Sequence, residues 1–170
     1  LACAREVALF GYDVTIYEAN EKAGGVLTYG IVPSRLPQEV VDFDIATIEK
    51  LGVTFKFNET IDAARLEELK AEYDAVFVGT GLWKSKVIDI PGKDLDGVVS
   101  AIDFLKDARL NKENMTLGDT VLVIGGGDVA MDCVTTAKQL GAKATIVYRR
   151  TIEEAPADID EVMAVQSMGI

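Results

Sequence analysis

The sequence predicts an α/β fold with mostly parallel sheets, and two observations in its second half carry the prediction. The first is an apolar run, Val121–Ile124, that leads through three glycines into a stretch of helical periodicity from Asp128 to Leu140. The second is a β-branched run over residues 144–148, which begins soon after the helix stop Gly141. A strand, glycine turn, helix and strand in this order form one parallel β-α-β unit, and we expect its first strand to be buried on both faces.

The turn after the first strand matches the G-x-G-x-x-A form of the dinucleotide fingerprint. Gly125 permits a tight turn, Gly127 allows a pyrophosphate to approach the backbone, and Ala130 keeps the helix close to the sheet. The N-terminus of the helix adds N–H groups and a partial positive charge. These features predict a dinucleotide site. The alternative is a glycine-rich turn without a ligand.

The residues at the end of the second strand indicate which dinucleotide fits. A site for NAD usually has a carboxylate at this point, which binds the ribose 2′-hydroxyl. This chain has Arg149 and Arg150 there, and no acid until Glu153. Because arginine suits a 2′-phosphate, the sequence favours NADP over NAD. In the alternative without a ligand, both arginines are solvated surface residues.

The first twenty residues repeat the pattern of residues 131–150 at a constant offset of 130. The matching pairs are Leu1 and Met131, Cys3 and Cys133, Gly11 and Gly141, Thr15 and Thr145, and Ile16 and Ile146. Each copy reads as a helix, a glycine stop and a strand. We therefore expect the chain to begin inside a helix, after a first glycine loop that it does not contain. A further strand is expected after Ile170, so the fold is predicted to be truncated at both ends.

The two copies differ at the end of the strand. The first strand, residues 14–17, is followed by Glu18, whereas the second is followed by arginines. An acid there suits an unphosphorylated ribose, such as the adenosine of FAD, and the alternative is a solvated carboxylate. Two sites with opposite preferences predict a flavoprotein that uses NADPH.

Further elements lie between the two copies. We predict an irregular loop over residues 23–37, a helix that starts at Pro37 and ends at Gly52, and a strand over residues 53–57. We then predict a helix over residues 62–72 with Asp62 as its N-cap, and a buried strand, Ala75–Val78.

Two more helices complete the prediction. Ser100 and Asp103 form a capping box that begins a helix ending near Leu110, and a last helix covers residues 158–168. We place a domain boundary near residue 100. This gives a partial FAD-binding domain over residues 1–100 and a partial NADP(H)-binding domain over residues 101–170.

Composition excludes several classes of function. The chain has no histidine, which removes Ser-His-Asp and Cys-His catalysis and all histidine metal sites. Its two cysteines form no C-x-x-C motif, so we interpret them as small core residues in a reduced, cytoplasmic setting. The net charge of −11 argues against nucleic acid or an anionic membrane as partner. No apolar run approaches the ~20 residues that span a bilayer.

Several motifs together resemble a known family. They are LACAREVALFGYDVTIYE, GGVLTYGIVPSRLP, YDAVFVGTG, IPGKDLDGVVSAIDFL and GGGDVAMDC…VYRR, in this order. The set resembles the small (beta) subunit of NADPH-dependent glutamate synthase. The same group includes the FAD/NADPH part of dihydropyrimidine dehydrogenase and the flavin subunits of ferredoxin–NADP transhydrogenases. The resemblance implies tandem Rossmann-like domains that pass hydride from NADPH to FAD. Electrons then go to iron–sulfur clusters, in regions missing from this chain or in a partner subunit.

The resemblance also implies roles for individual residues. For FAD it implies Glu18 at the ribose, Gly25, Val26 and Arg35 along the flavin and its phosphates, Ile61 at the adenine, and Thr80 and Gly81 closing on the cofactor. For NADPH it implies Gly126, Gly127, Asp128 and Val129 at the pyrophosphate, beside the turn residue Gly125, with Arg149 and Arg150 at the 2′-phosphate. No side chain is expected to act as an acid or base, because the protein aligns two cofactors.

Alternatives remain for the function. The leading hypothesis is an oxidoreductase that serves a large glutamate synthase subunit or another iron–sulfur redox subunit. One alternative is an NADP(H)-binding module or docking subunit without turnover of its own. Another is the flavin subunit of a ferredoxin–NADP or pyrimidine reductase, since these enzymes share the same electron-input unit.

Overall fold

The structure is a computed structural model that describes residues 1–86, 88–111 and 113–170. Its contacts divide the chain into two compact units. Unit 1 comprises residues 1–28 and 33–82, and unit 2 comprises residues 29–32 and 83–170. The predicted boundary between an FAD domain and an NADP(H) domain, near residue 100, concerns cofactors and stays a prediction.

Unit 1 is built around one pair of parallel strands. Its elements are α1 (Ala2–Leu9), β1 (Thr15–Glu18), α2 (Val26–Tyr29, whose last residue is counted with unit 2), α3 (Gln38–Glu49), β2 (Thr54–Phe57) and α4 (Ala63–Glu72). β1 and β2 pair in register from Thr15↔Thr54 to Glu18↔Phe57. The core beneath them contains Ala4, Ile48 and Val53, so α1 and α3 pack against the sheet.

The predicted helices of unit 1 are confirmed. Pro37 precedes the first residue of α3 as its N-cap, where the absence of a proline N–H costs nothing. Asp62 caps α4, because its Oδ1 accepts a hydrogen bond from the N–H of Arg65 at 2.8 Å. The apolar positions Val41 and Ile48 of α3 are buried, as the helical periodicity predicts.

Two predictions in unit 1 are wrong. The loop predicted over residues 23–37 contains a helical turn, α2, whose second N–H bonds back to the carbonyl of Gly24 at 3.1 Å. The predicted buried strand Ala75–Val78 is not a strand, and Phe77 is 74% exposed. Its apolar composition suits a central strand, but a strand needs a neighbour to pair with. Among the described residues, β1 and β2 pair only with each other.

Unit 2 contains the second parallel pair. Its elements are α5 (Ala101–Leu110), β3 (Thr120–Ile124), α6 (Asp128–Gln139), β4 (Lys143–Val147), a short 3₁₀ turn (Ile152–Glu154) and α7 (Ile159–Ser167). β3 and β4 pair from Thr120↔Lys143 to Ile124↔Val147. This is the predicted β-α-β unit, and the predicted helix at Ser100 is also confirmed as α5.

α6 is the centre of the unit 2 core. Val134 and Ala137 on this helix are completely buried, and α5 and α7 both pack against it. Gly141 ends the helix with a φ of 95°, a conformation that glycine adopts without strain. Cys133 lies in the same core, which confirms its interpretation as a small buried residue.

The prediction that β3 is buried on both faces is wrong. Val121 and Val123 pack towards the core, whereas Leu122 and Ile124 are 63% and 54% exposed. The described sheet has two strands with α6 on one face, so alternate side chains of β3 point to the uncovered face. An apolar run alone does not reveal whether the second face of a sheet is covered.

Candidate nucleotide-binding site

The glycine loop between β3 and α6 is the best-defined candidate site in unit 2. Gly125 has a φ of 148°, and its N–H donates to the carbonyl of Val147 at 3.0 Å, which continues the sheet by one hydrogen bond. A Cβ at this position would lie 3.4 Å from the methyl group of Ala130. Both residues therefore support the close approach of helix and sheet for which the fingerprint selects small side chains.

The second and third glycines have different surroundings. A Cβ at Gly126 would lie 2.7 Å from Cδ2 of the Tyr148 ring, a distance that real Cβ atoms essentially never show. A Cβ at Gly127 would meet only Pro156, at 3.9 Å, which is an ordinary contact. Protein packing therefore requires glycine at position 126. At position 127 the space beside the backbone is open, as a pyrophosphate requires.

The N-terminus of α6 faces this open space with backbone donors. Gly127 is the N-cap, and its carbonyl accepts from the N–H groups of Ala130 and Met131 at 2.8 and 3.2 Å. The N–H groups of Asp128 and Val129, which precede Ala130 in the first turn, have no partner within the helix, and the helix dipole gives this end a partial positive charge. An anionic diphosphate fits such a cradle. The described residues thus fit the pyrophosphate of a dinucleotide.

The arginine pair follows β4 after one intervening residue, Tyr148. Because Val147 pairs with Ile124, the end of β4 lies beside the start of the glycine loop. Arg149 and Arg150 are exposed, and within residues 1–86, 88–111 and 113–170 neither guanidinium forms an ion pair or a side-chain hydrogen bond. The guanidinium groups of Arg149 and Arg150 therefore follow the strand that lies beside the glycine loop, and their N–H donors are available to a ligand.

The acidic residues that follow the arginine pair accept hydrogen bonds within their own turn. The carboxylate of Glu154 accepts from the N–H and the hydroxyl of Thr151 at 3.3 and 3.2 Å. Hydrogen bonds from its own backbone N–H and from Thr151 hold the pKa of the Glu153 carboxyl below its usual range. The first acid after β4 is therefore tied to the backbone of its own turn.

The segment from Tyr148 to Asp158, here called the β4–α7 connection, returns to the glycine loop. The hydroxyl of Tyr148 donates to the carbonyl of Glu154 at 3.0 Å, across the 3₁₀ turn. Near the other end, the N–H of Ala157 donates to the carbonyl of Gly126 at 3.1 Å. Sequence reasoning missed the role of Tyr148. The signal that could have found it is its place one residue beyond β4, beside the loop.

Glu18 lies at the end of β1 in unit 1, as predicted. One carboxylate oxygen, Oε1, accepts from the backbone N–H and the side-chain amide of Asn20 at 2.9 and 2.7 Å. The carbonyl of Glu18 accepts from the N–H of Glu59 at 3.0 Å, which holds the strand end against the segment after β2. The carboxylate is thus oriented by Asn20, a partner that the sequence analysis did not single out.

The other residues assigned to FAD lie at several places in unit 1. Gly25 has a φ of 56° with open space where a Cβ would be, and Val26 begins α2. Gly24 is the stricter glycine, since a Cβ there would come 2.1 Å from Oγ1 of Thr28. The remaining assigned residues are the exposed Arg35, the half-buried Ile61, and the exposed Thr80 and Gly81. Their roles stay predictions.

The environment of the Cys133 thiol does not favour redox catalysis. Both cysteines are free, and burial raises the pKa of the Cys133 thiol to about 12, with a smaller contribution from Asp132. A thiol that stays protonated is a poor nucleophile. The described part of the chain contains no group of three or more acids or cysteines placed to hold a metal ion. None of its helices is long and apolar enough to cross a membrane.

Comparison with known proteins assigns the family. A family model described as pyridine nucleotide-disulphide oxidoreductase matches residues 1–166. The chain belongs to this oxidoreductase family. Its members are enzymes that bind FAD and NADPH, which agrees with the two cofactors that the sequence predicts.

Similar proteins confirm the resemblance found in the sequence. Over 162 residues the chain is 44% identical to the NAD-dependent dihydropyrimidine dehydrogenase subunit PreT of Escherichia coli K12, covering 94% of this chain and 39% of that protein. It is 35% identical over 187 residues to the glutamate synthase [NADPH] small chain of Azospirillum brasilense, covering all of this chain and 38% of that protein.

A solved structure agrees with the fold. A 2-naphthoyl-CoA reductase complex superimposes with a TM-score of 0.75 at 26% identity, covering 98% of this chain and 24% of that chain. The fold is thus the α/β arrangement of FAD- and NAD(P)-binding reductases, as the sequence predicts. The chain spans less than two fifths of the length of either curated relative.

Proposed function

We propose that this chain supplies the NADPH site of a flavoprotein that transfers hydride from NADPH to FAD. The observation that carries the proposal is the exposed pair Arg149 and Arg150, which follows β4 beside the glycine loop and has no acidic partner among the described residues. The loop residues Gly125, Gly126 and Gly127 then hold the pyrophosphate, together with the backbone of Asp128 and Val129.

The arginine pair is the basis for choosing between the two nucleotides. NADPH differs from NADH by one 2′-phosphate, and a guanidinium binds a phosphate through charged, bidentate hydrogen bonds. The names of the relatives include both an NAD-dependent subunit and an NADPH-dependent chain, so family membership alone does not decide the preference. The charge at the end of β4 favours the phosphorylated nucleotide.

The proposal assigns FAD to residues 1–100 and NADP(H) to residues 101–170. Glu18 binds the FAD ribose through its carboxylate, which Asn20 holds in place. The other residues proposed for FAD are Gly25, Val26, Arg35, Ile61, Thr80 and Gly81. When bound, FAD supplies the redox chemistry and accepts the hydride of NADPH. The contribution of the chain is to bind and orient the two cofactors.

The partner and setting form the finer part of the proposal. Both relatives are named as one subunit or chain of an enzyme, which supports a redox partner. We place an iron–sulfur subunit in that role, namely the large subunit of a glutamate synthase. A ferredoxin–NADP or pyrimidine reductase is the alternative assembly. The setting we propose is cytoplasmic, in line with the two free thiols.

Replacement of both arginines tests the NADPH site. We expect R149A/R150A to bind NADPH much more weakly and to bind NADH almost as before, because each charged phosphate contact contributes roughly 1.5–3 kcal/mol. Titration calorimetry with the two nucleotides measures this difference. Lys143→Ala is the control, since Lys143 is an exposed cation at the opposite end of β4. Equal losses for NADPH and NADH in the double variant would contradict the assignment.

A second candidate function is a nucleotide-binding module without turnover. It is favoured by one observation: within the described residues, a glycine loop with an arginine pair beside it occurs in unit 2, at residues 125–127, and not in unit 1. The described residues therefore contain one nucleotide site of this kind, and binding of one nucleotide alone would use it. An absorption spectrum of the purified chain separates the two functions. Flavin bands that NADPH bleaches under anaerobic conditions support hydride transfer. A colourless protein that binds NADPH supports the module.

A further inference from the structure

The β4–α7 connection is attached to the glycine loop at both of its ends. At the start, the ring of Tyr148 lies against Gly126, where it leaves no room for a Cβ. At the end, the N–H of Ala157 donates to the carbonyl of Gly126 at 3.1 Å. The N–H of Asp158 donates to Oδ1 of Asp128 at 2.9 Å. The arginine pair lies inside this doubly attached segment.

Asp128 provides a side-chain attachment at the far end. It is the first residue of α6, and its carboxylate is exposed. A negative charge at this place repels a nucleotide pyrophosphate, so contact with the phosphates does not explain an acid here. An acid in the first turn of α6 interacts favourably with the helix dipole, and the hydrogen bond that Asp128 accepts from Asp158 gives it a second role, because Asp158 is the N-cap at which α7 begins. The carboxylate thus joins the starts of two helices.

We infer that Asp128 is a positioning residue for nucleotide preference: it anchors the β4–α7 connection and thereby holds Arg149 and Arg150 in place for the 2′-phosphate. The inference rests on the proposed NADPH site and deepens it. Arginine side chains lose conformational freedom when they bind a phosphate. A backbone fixed at both ends lowers the further cost of ordering the segment that carries them, so the anchor strengthens binding of NADPH and not of NADH.

Two substitutions at Asp128 separate the anchor from the charge. Asp128→Ala removes the acceptor, and we expect it to lower the preference for NADPH over NADH by about five- to tenfold, the effect of one lost net hydrogen bond. Asp128→Asn keeps an oxygen acceptor and removes the charge. We expect it to retain the preference while both nucleotides bind more tightly, because repulsion of the pyrophosphate is relieved. A purely structural defect would weaken both nucleotides alike.

The measurement is titration of the whole chain with NADPH and with NADH, using Asp107→Ala on α5 as the control that removes an exposed acid elsewhere in unit 2. If Asp128→Ala does not fold, Tyr148→Phe tests whether the rigidity of the same connection matters, since it keeps the ring against Gly126 and removes the hydrogen bond that joins Tyr148 to Glu154 across the arginine pair. We expect it to lower the preference by about two- to fivefold. An unchanged preference in the folded Asp128→Ala variant, or in Tyr148→Phe where that variant is used, overturns the inference.

The same titrations distinguish this inference from the proposed function. If the wild-type chain does not prefer NADPH, or if R149A/R150A keeps the preference, the NADPH site itself fails and the inference fails with it. If R149A/R150A loses the preference while Asp128→Ala retains it, only the positioning role of Asp128 is wrong. If Asp128→Asn loses the preference for NADPH over NADH to the same extent as Asp128→Ala, the proposed anchoring role of the hydrogen bond is also wrong.

Discussion

Gly126 and Gly127 are neighbours in the same loop, but the structure gives them different reasons to be glycine. The ring of Tyr148 occupies the space where a Cβ of residue 126 would be, whereas the corresponding space at residue 127 is open. At the scale of single residues, the loop therefore combines one glycine that serves protein packing with one that leaves room for a ligand. The two can be separated by substitution.

We predict that Gly126→Ala destabilises the fold more than Gly127→Ala does. The methyl group at position 126 must displace the Tyr148 ring, and overpacking of this kind costs about 1–3 kcal/mol. At position 127 the methyl group makes an ordinary contact with Pro156, but it takes the space proposed for the pyrophosphate. Chemical denaturation measures the first effect and nucleotide titration the second.

Each alanine variant serves as the control for the other. Gly127→Ala should lower the free energy of unfolding by no more than about 1 kcal/mol, the cost of alanine at an N-cap, since neither its φ of −99° nor its neighbours exclude alanine. It should also lose affinity for both nucleotides. If Gly127→Ala binds NADPH as well as the wild type does, the pyrophosphate does not lie against this backbone.

At the scale of elements, the helix starts follow directly from the sequence. Asp62 and Ser100 were identified as N-caps from residue type and spacing, and each accepts the backbone hydrogen bond that defines a cap. Such contacts are local, so sequence encodes them well. The strand Ala75–Val78 was predicted wrongly because pairing is not local. Its residues have strand composition, but the described residues offer it no partner strand.

The cap of α4 gives a prediction at this scale. Asp62→Ala should lower the free energy of unfolding by about 1 kcal/mol, because the N–H of Arg65 loses its acceptor. It should also speed amide hydrogen exchange at Arg65. Asp62→Asn is the matched control, since asparagine caps helices about as well as aspartate. A loss in Asp62→Asn as large as that in Asp62→Ala would show that charge, and not the cap, stabilises this end of α4.

The candidate site shows the same division between local and non-local information. The glycine loop and the position of Arg149 and Arg150 followed from the order of strand, helix and strand, because parallel register brings the ends of β3 and β4 together. The contact of Tyr148 with Gly126 and the hydrogen bond of Asp128 with Asp158 could not be predicted from the sequence. Both depend on the path of the β4–α7 connection, and no periodicity in the sequence encodes that path.

At the scale of the whole molecule, the chain consists of two units that are each built on a parallel strand pair. In unit 1, β1 ends in an acid, Glu18, whereas in unit 2 β4 is followed, after Tyr148, by Arg149 and Arg150. The chain as a whole is strongly acidic, with a net charge of −11. Binding of an anionic nucleotide therefore depends on local positive charge at the site, which places the choice of nucleotide at the end of β4.

The most direct test of this account is the ratio of the dissociation constants of NADH and NADPH for the unmodified chain. If the arginine pair binds the 2′-phosphate, NADPH should bind at least about tenfold more tightly than NADH, since one charged phosphate contact contributes roughly 1.5–3 kcal/mol. Equal affinities, or tighter binding of NADH, would contradict the account, because the exposed cations beside the glycine loop would then have no part in choosing the nucleotide.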